Sequence, residues 1–144
     1  MNTNLDLEKK ITNLFHEFEN KNYELVINKI HEIINKNIKI PIIYNLLGVS
    51  YSLINEHNNA IKAYKSALEL DPENEELFRN LAKSYTKVDQ DDEAYDSFKK
   101  AIKIKPNNSD AYFGIGSIYL KKKKFNESIL NFKLAIDNNK NFFQ

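Results

Sequence analysis

The chain has 144 residues, 42% of them hydrophobic, and a net charge of +1, so it can bury a substantial core in about one domain. It carries no bulk charge that would draw it to nucleic acid or to an anionic membrane. The absence of cysteine excludes disulfides, thiolate zinc sites, iron–sulfur clusters and cysteine nucleophiles, and three Gly and three Pro are too few for an all-β chain full of tight turns.

No apolar run approaches the roughly 18 residues of a membrane span, and the start Met1-Asn2-Thr3-Asn4-Leu5-Asp6 lacks the basic-then-apolar order of a secretory signal. A cytoplasmic protein without a cofactor is the expectation. From the N-terminus, Leu7, Ile11, Leu14, Phe15 and Phe18 recur at helical spacing and predict a helix over residues 5–19. Tyr23, Val26, Ile27, Ile30, Ile33 and Ile34 predict a second over about residues 22–36.

A repeat then begins. Tyr44, Phe78 and Tyr112 stand 34 positions apart. Each is followed by a Leu or Ile with a small residue (Leu47-Gly48, Leu81-Ala82, Ile115-Gly116) and then by a tyrosine (Tyr51, Tyr85, Tyr119). The second half of each unit repeats a small residue (Ala60, Ala94, Ser128), an aromatic (Tyr64, Phe98, Phe132) and an alanine (Ala67, Ala101, Ala135), with Pro72 and Pro106 closing the first two units. Small residues let neighbouring helices approach, aromatic residues fill the gaps, and proline stops the second helix.

This pattern resembles the tetratricopeptide repeat family residue for residue. The resemblance implies an all-α fold, a right-handed α-α superhelix of antiparallel hairpins with about eight helices. Repeats are expected at residues 41–74, 75–108 and 109–142, behind a degenerate N-terminal hairpin, residues 1–40, that acts as a cap. Aligning Ile11, Leu14, Phe15 and Phe18 with Tyr44, Leu47, Gly48 and Tyr51 requires a turn one residue shorter and puts Phe15 at the small-residue site. At the other end Lys140 stands where Pro72 and Pro106 stand, so residues 143–144 would open a further repeat. The side of the last helix carrying Ile129, Leu130, Leu134 and Phe142 is expected to be left open, to pack on another copy of the protein or on a further domain.

The resemblance also implies a concave groove, lined by the first helix of each hairpin, that binds an extended peptide or a partner's helix. Helical phase assigns to it Ile42, Asn45, Leu46, Val49 and Leu53, then Arg79, Asn80, Lys83 and Lys87, then Asp110, Phe113, Ser117 and Leu120. Arg79, Lys83 and Lys87 share one stripe and read either as solvated heads or as a site for an acidic ligand. Asn80 can donate to and accept from a peptide backbone at once.

The carboxylate clamp of chaperone-binding family members would fall on Asn45, Val49, Asn80, Asp110 and Gly114; only Asn80 matches, so docking of heat-shock chaperone C-termini is not expected. The asparagine ladder of sugar-transferring members likewise keeps Asn80 but is not continued by Leu46 and Gly114.

Lys121 to Lys124 read as a solvated turn or a phosphate patch. Asp89, Asp91, Asp92 and Glu93 read as caps and dipole partners of the next helix, since the glycine of a calcium loop is missing. Asp71, Glu73, Glu75 and Glu76 likewise sit at a helix start. His16, His31 and His57 lack the spacing of a helical metal site, so no metal is expected. Two functional classes remain: a non-catalytic module binding a protein or peptide, and the recruitment arm of a larger enzyme, such as a glycosyltransferase or sulfotransferase, with catalysis beyond Gln144.

Overall fold

The computed structural model describes residues 3–140. Phe142 and residues 143–144, assigned above to the open face and to a further repeat, lie outside the described residues. Eight α-helices and no strand occur among the described residues: α1 Thr3–Glu19, α2 Tyr23–Ile34, α3 Pro41–Leu53, α4 His57–Leu70, α5 Glu75–Lys87, α6 Asp91–Ile104, α7 Ser109–Lys121 and α8 Phe125–Lys140. They form two compact units that divide between Leu70 and Asp71, the first holding α1 to α4 and the second α5 to α8.

The helix ends follow local chemistry. Pro41 opens α3, where a missing N–H leaves no bond unmade. Asn74 and Asn108 cap α5 and α7, their side-chain oxygens accepting from Leu77 N at 3.1 Å and Ala111 N at 3.0 Å. Pro72 and Pro106 follow the ends of α4 and α6 at Leu70 and Ile104.

Each hairpin turns through a residue in the left-handed region: Lys21 (φ 62°), Asn55 (φ 64°), Asp89 (φ 59°) and Lys123 (φ 58°). The residue after it donates back across the helix end, Asn22 N to Glu17 O at 3.0 Å, Glu56 N to Tyr51 O at 2.8 Å, Gln90 N to Tyr85 O at 3.0 Å and Lys124 N to Tyr119 O at 2.9 Å. This is a Schellman closure repeated at every turn. All four turns keep the 34-residue spacing.

The shortened first turn expected from sequence is therefore corrected: the N-terminal hairpin is in full register, and Leu14, not Phe15, stands at the position of Gly48. Leu14 is 1% exposed and Phe15 37%. Opposite Leu14 the register sets Ile30 where the later hairpin has Tyr64. Two aliphatic side chains of middling size replace a glycine and a large ring, a trade that conserves volume but not shape. Unit 1 buries them with Val26, Ile27, Ile33, Ile43 and Leu47. His31 Nε2 and the Tyr51 hydroxyl, 2.8 Å apart, link α2 to α3.

In the α3/α4 and α7/α8 hairpins an aromatic ring lies on bare backbone. A Cβ on Gly48 would come within 2.5 Å of the Tyr64 ring, and one on Gly116 within 2.7 Å of the Phe132 ring. Ala82 takes the same place in the α5/α6 hairpin and is buried, as are Ala60, Ala94 and Ser128 on the opposite helices. Ser128 Oγ donates to Gly116 O at 2.8 Å, so its hydroxyl is satisfied where the backbones meet. A further contact joins successive hairpins of unit 2: a Cβ on Gly114 would lie 2.3 Å from the ring of Phe98, itself only 2% exposed.

Gly114→Ala tests that contact. Alanine favours the helix by roughly 1 kcal/mol, whereas overpacking a core costs about 1–3 kcal/mol. The expected result in urea unfolding is a net loss of stability of about 1 kcal/mol; a gain would show that Phe98 does not hold α7.

Candidate interaction face

In unit 2 the first helices, α5 and α7, are joined by a chain of polar contacts. Asn108, the buried cap of α7, also donates through Nδ2 to Glu75 Oε1 on α5. Arg79 Nε lies 3.5 Å from that same oxygen, an ion pair without hydrogen-bond geometry. Arg79 Nη1 then reaches Asp110 Oδ2 at 2.7 Å, and Lys83 Nζ meets the same oxygen at 3.0 Å.

The cationic stripe is thus largely answered from within. Spacing by four residues does align Arg79, Lys83 and Lys87 on α5, but Asp110 draws the first two across to α7. Among the described residues, only Lys87 of the three has no carboxylate at ion-pair distance. Glu75, in the first turn of α5 as expected from sequence, also bridges Asn108 and Arg79. The 31-residue separation of Arg79 and Asp110 hides this pair from any local pattern.

Asn80 is half-buried beside the stripe. Phe113 is 61% exposed, and its ring centroid is 5.4 Å from that of Phe132. Ser117 turns its hydroxyl back to Phe113 O at 2.9 Å, satisfying the donor within its own helix. In front of Phe113 lies a hollow of about 390 Å³, lined among others by Ser109, Asp110, Phe132, Ile136 and Asn139.

On α3 of unit 1, Val49 and Asn45 are half-buried, and Asn45 Oδ1 is enclosed without a hydrogen-bond partner. Ile42 and Leu53 are exposed, but Leu46, assigned by helical phase to the groove, belongs to the buried core. The reason is that the apolar face of α3 is broad enough to include it, burying Ile43, Leu46 and Leu47 together.

The two charge clusters noted in the sequence meet each other. Lys121 pairs with Asp89 at 2.8 Å and Asp91 at 2.9 Å, and Lys122 with Asp92 at 2.6 Å. The hydrogen bonds and charges of these lysines hold the Asp89 and Asp92 carboxyls below their ordinary range. The expected capping by this acidic cluster is corrected: the N-cap of α6 is Gln90, and no side chain caps it. Asp89 is committed instead to the turn and to Lys121.

On α8, Ile129 and Leu130 are exposed and Leu134 is half-buried. One period earlier Leu130 and Leu134 correspond to Asp96 and Lys100, both exposed to solvent, whereas Ile129, Phe132 and Ile136 correspond to Tyr95, Phe98 and Ile102. Those three face α7: Tyr95 stacks edge-on against Tyr119 at 5.8 Å, Phe98 lies on Gly114, and Ile102 shares a small hollow with Tyr112 and Ile115. Sequence reasoning missed Phe132 and Ile136, which the period could have supplied.

His16 is near Asn20, His31 near Tyr51, and His57 Nδ1 is buried without a partner. Among the described residues, no group of three or more His, Asp or Glu side chains could hold a metal, and no helix is long and apolar enough to cross a membrane.

Partial burial pushes the Asp110 carboxyl up, but hydrogen bonds from Lys83 and Arg79 and their charges outweigh it and hold the group below its ordinary value. A carboxyl depressed in the folded state contributes stability above its unfolded pKa and loses it as pH falls through the folded one. Stability should therefore fall as pH drops below about 4, and Asp110→Asn should flatten that part of the curve in acid unfolding. An unchanged acid limb would show that the bridge adds nothing to folding.

The sequence matches the family described as "Psidin, N-terminal TPR repeats region" over residues 8–134. A stretch of 49 residues, 34% of this chain, is 37% identical to the N-terminal acetyltransferase A complex auxiliary subunit NAA15 of Arabidopsis thaliana; it spans 6% of that protein's length. A crystal structure of MamA superposes with a TM-score of 0.88 at 23% identity, covering 93% of this chain and 78% of that one. A MamA RS-1 double mutant superposes at 0.86 with 11% identity, covering 93% and 75%. At these identities the structures show the fold alone. The match from the first helix to the last, on hairpins that repeat every 34 residues, settles the family: the chain belongs to the tetratricopeptide repeats of the Psidin N-terminal type.

Proposed function

We propose that this chain is a non-catalytic interaction module that holds a peptide or a segment of a partner protein against the face of α5 and α7, through Asn80, Lys83, Lys87, Phe113 and the adjoining hollow. The repeats at residues 75–108 and 109–142 carry that face; Asn45 and Val49 of α3 stand one period before Arg79 and Lys83 in the sequence. The exposed ring of Phe113 beside a hollow of about 390 Å³ carries the reading. Covering such a ring is worth roughly 1.5–3 kcal/mol, a gain the free chain leaves unused.

Charge plays a narrower part than the stripe suggests. An acidic ligand must compete with Asp110 for Arg79 and Lys83, which leaves Lys87 as the ready cation. The preferred ligand therefore offers an apolar anchor to Phe113, backbone amides to Asn80, and a carboxylate near Lys87. Peptides selected from a random library on the immobilised chain, measured by calorimetry, should lose at least about tenfold in affinity with Phe113→Glu, the equivalent of about 1.4 kcal/mol. Equal binding would move the site elsewhere.

A second reading, distinct from the arm of a single larger enzyme expected from sequence, is a subunit that recruits a separate catalytic chain, suggested by the likeness of 49 residues to an auxiliary subunit of an N-terminal acetyltransferase complex. In that case the helices dock a catalytic partner and perform no chemistry themselves. Tagged protein recovered from its own cells should carry acetyl-CoA-dependent N-terminal acetylation activity. Its absence from a recovered complex would sink this second reading and leave the first intact.

A further inference from the structure

Unit 1 contains a cleft of about 540 Å³ between α1 and α2, within the range of about 300–1,000 Å³ usual for binding sites. Its cause lies in the N-terminal register. Leu14 occupies the site where Gly48 and Gly116 admit a ring to bare backbone, so α1 and α2 cannot close in that way, and among the described residues they meet at fewer positions than the helices of any other hairpin.

The cleft has an apolar floor and a basic rim. Leu7, Leu14, Ile33 and Ile38 form the floor. Lys9 and Lys10 from α1, with Lys29 of α2 and Lys36 just beyond it, stand around it against two carboxylates, Asp6 and Glu32. Lys10 is engaged with Asp6, and Lys29 with Asn13 at 2.6 Å and Glu17 at 3.5 Å. Lys9 and Lys36 have no ion-pair partner among the described residues.

We propose that this cleft is a second docking site, taking an acidic segment of a partner protein that inserts an apolar side chain between α1 and α2 and sets its carboxylates against Lys9 and Lys36. Charge complementarity selects the occupant. The uncommitted lysines come from separate elements on either side of an apolar floor, an arrangement that suits several carboxylates along a chain better than one headgroup on a lipid tail. The site is independent of Phe113 and of the face on α5 and α7.

The probe is a fluorescein-labelled synthetic peptide, Glu-Glu-Leu-Phe-Glu-Glu, with a Lys-for-Glu version as control, followed by anisotropy and by amide NMR shifts on the full chain. The acidic peptide should bind and the basic one should not, with shifts centred on α1, α2 and residues 35–38. Lys9→Glu with Lys36→Glu, both at exposed positions that leave the core intact, should weaken binding at least tenfold, while Phe113→Glu leaves it unchanged. Four results would overturn the proposal: no binding of the acidic peptide, equal binding by the double variant, shifts centred on α5 and α7, or binding of phosphatidylserine vesicles or dodecanoate in place of the peptide.

Discussion

An aromatic ring resting on a glycine backbone sets how closely the helices of this protein approach. Tyr64 over Gly48, Phe132 over Gly116 and Phe98 over Gly114 are three uses of one contact, each leaving no room for even a methyl group. Because interiors are close-packed, the ring and the missing side chain must be matched together. Beside that match stand small residues on the opposite helices, a repeated Schellman turn, and a fixed 34-residue step. Where the match is absent, at Leu14 and Ile30, the hairpin still turns in register but stands open at one side.

Electrostatics works on a second level, between hairpins of unit 2. Asp110 of α7 gathers Arg79 and Lys83 of α5, and Lys121 and Lys122 at the end of α7 reach back to Asp89, Asp91 and Asp92. All these partners lie about one repeat apart, so in unit 2 the second hairpin answers the charge of the first. Such exposed pairs contribute modestly to stability. Their larger consequence is functional, because charges that look available to a ligand are already in use. In the proposed mode of recognition, the groups left over carry the binding: a ring in solvent, an amide, and a few unpaired lysines.

Much of this was legible from the residues. The period, the helix count, the place of the small residues and rings, and the asymmetry of the first hairpin all follow from side-chain size and helical phase. The exact register of that hairpin did not, because aligning apolar residues favours Phe15 and Phe18, whereas the backbone turn at Lys21 obeys the same hydrogen bonds as its three counterparts. Leu46 was misread for a related reason: phase separates groove from core only when the apolar face is narrow.

The sequence by itself determined that this is a repeat of helical hairpins, since a side chain's volume and its spacing along a helix are local properties. Only the tertiary structure decided which charges are free. Ion pairs such as Arg79 with Asp110, or Lys121 with Asp89, join residues 31 and 32 positions apart, and a charge cannot be known as bound or available until the fold has brought its neighbours near.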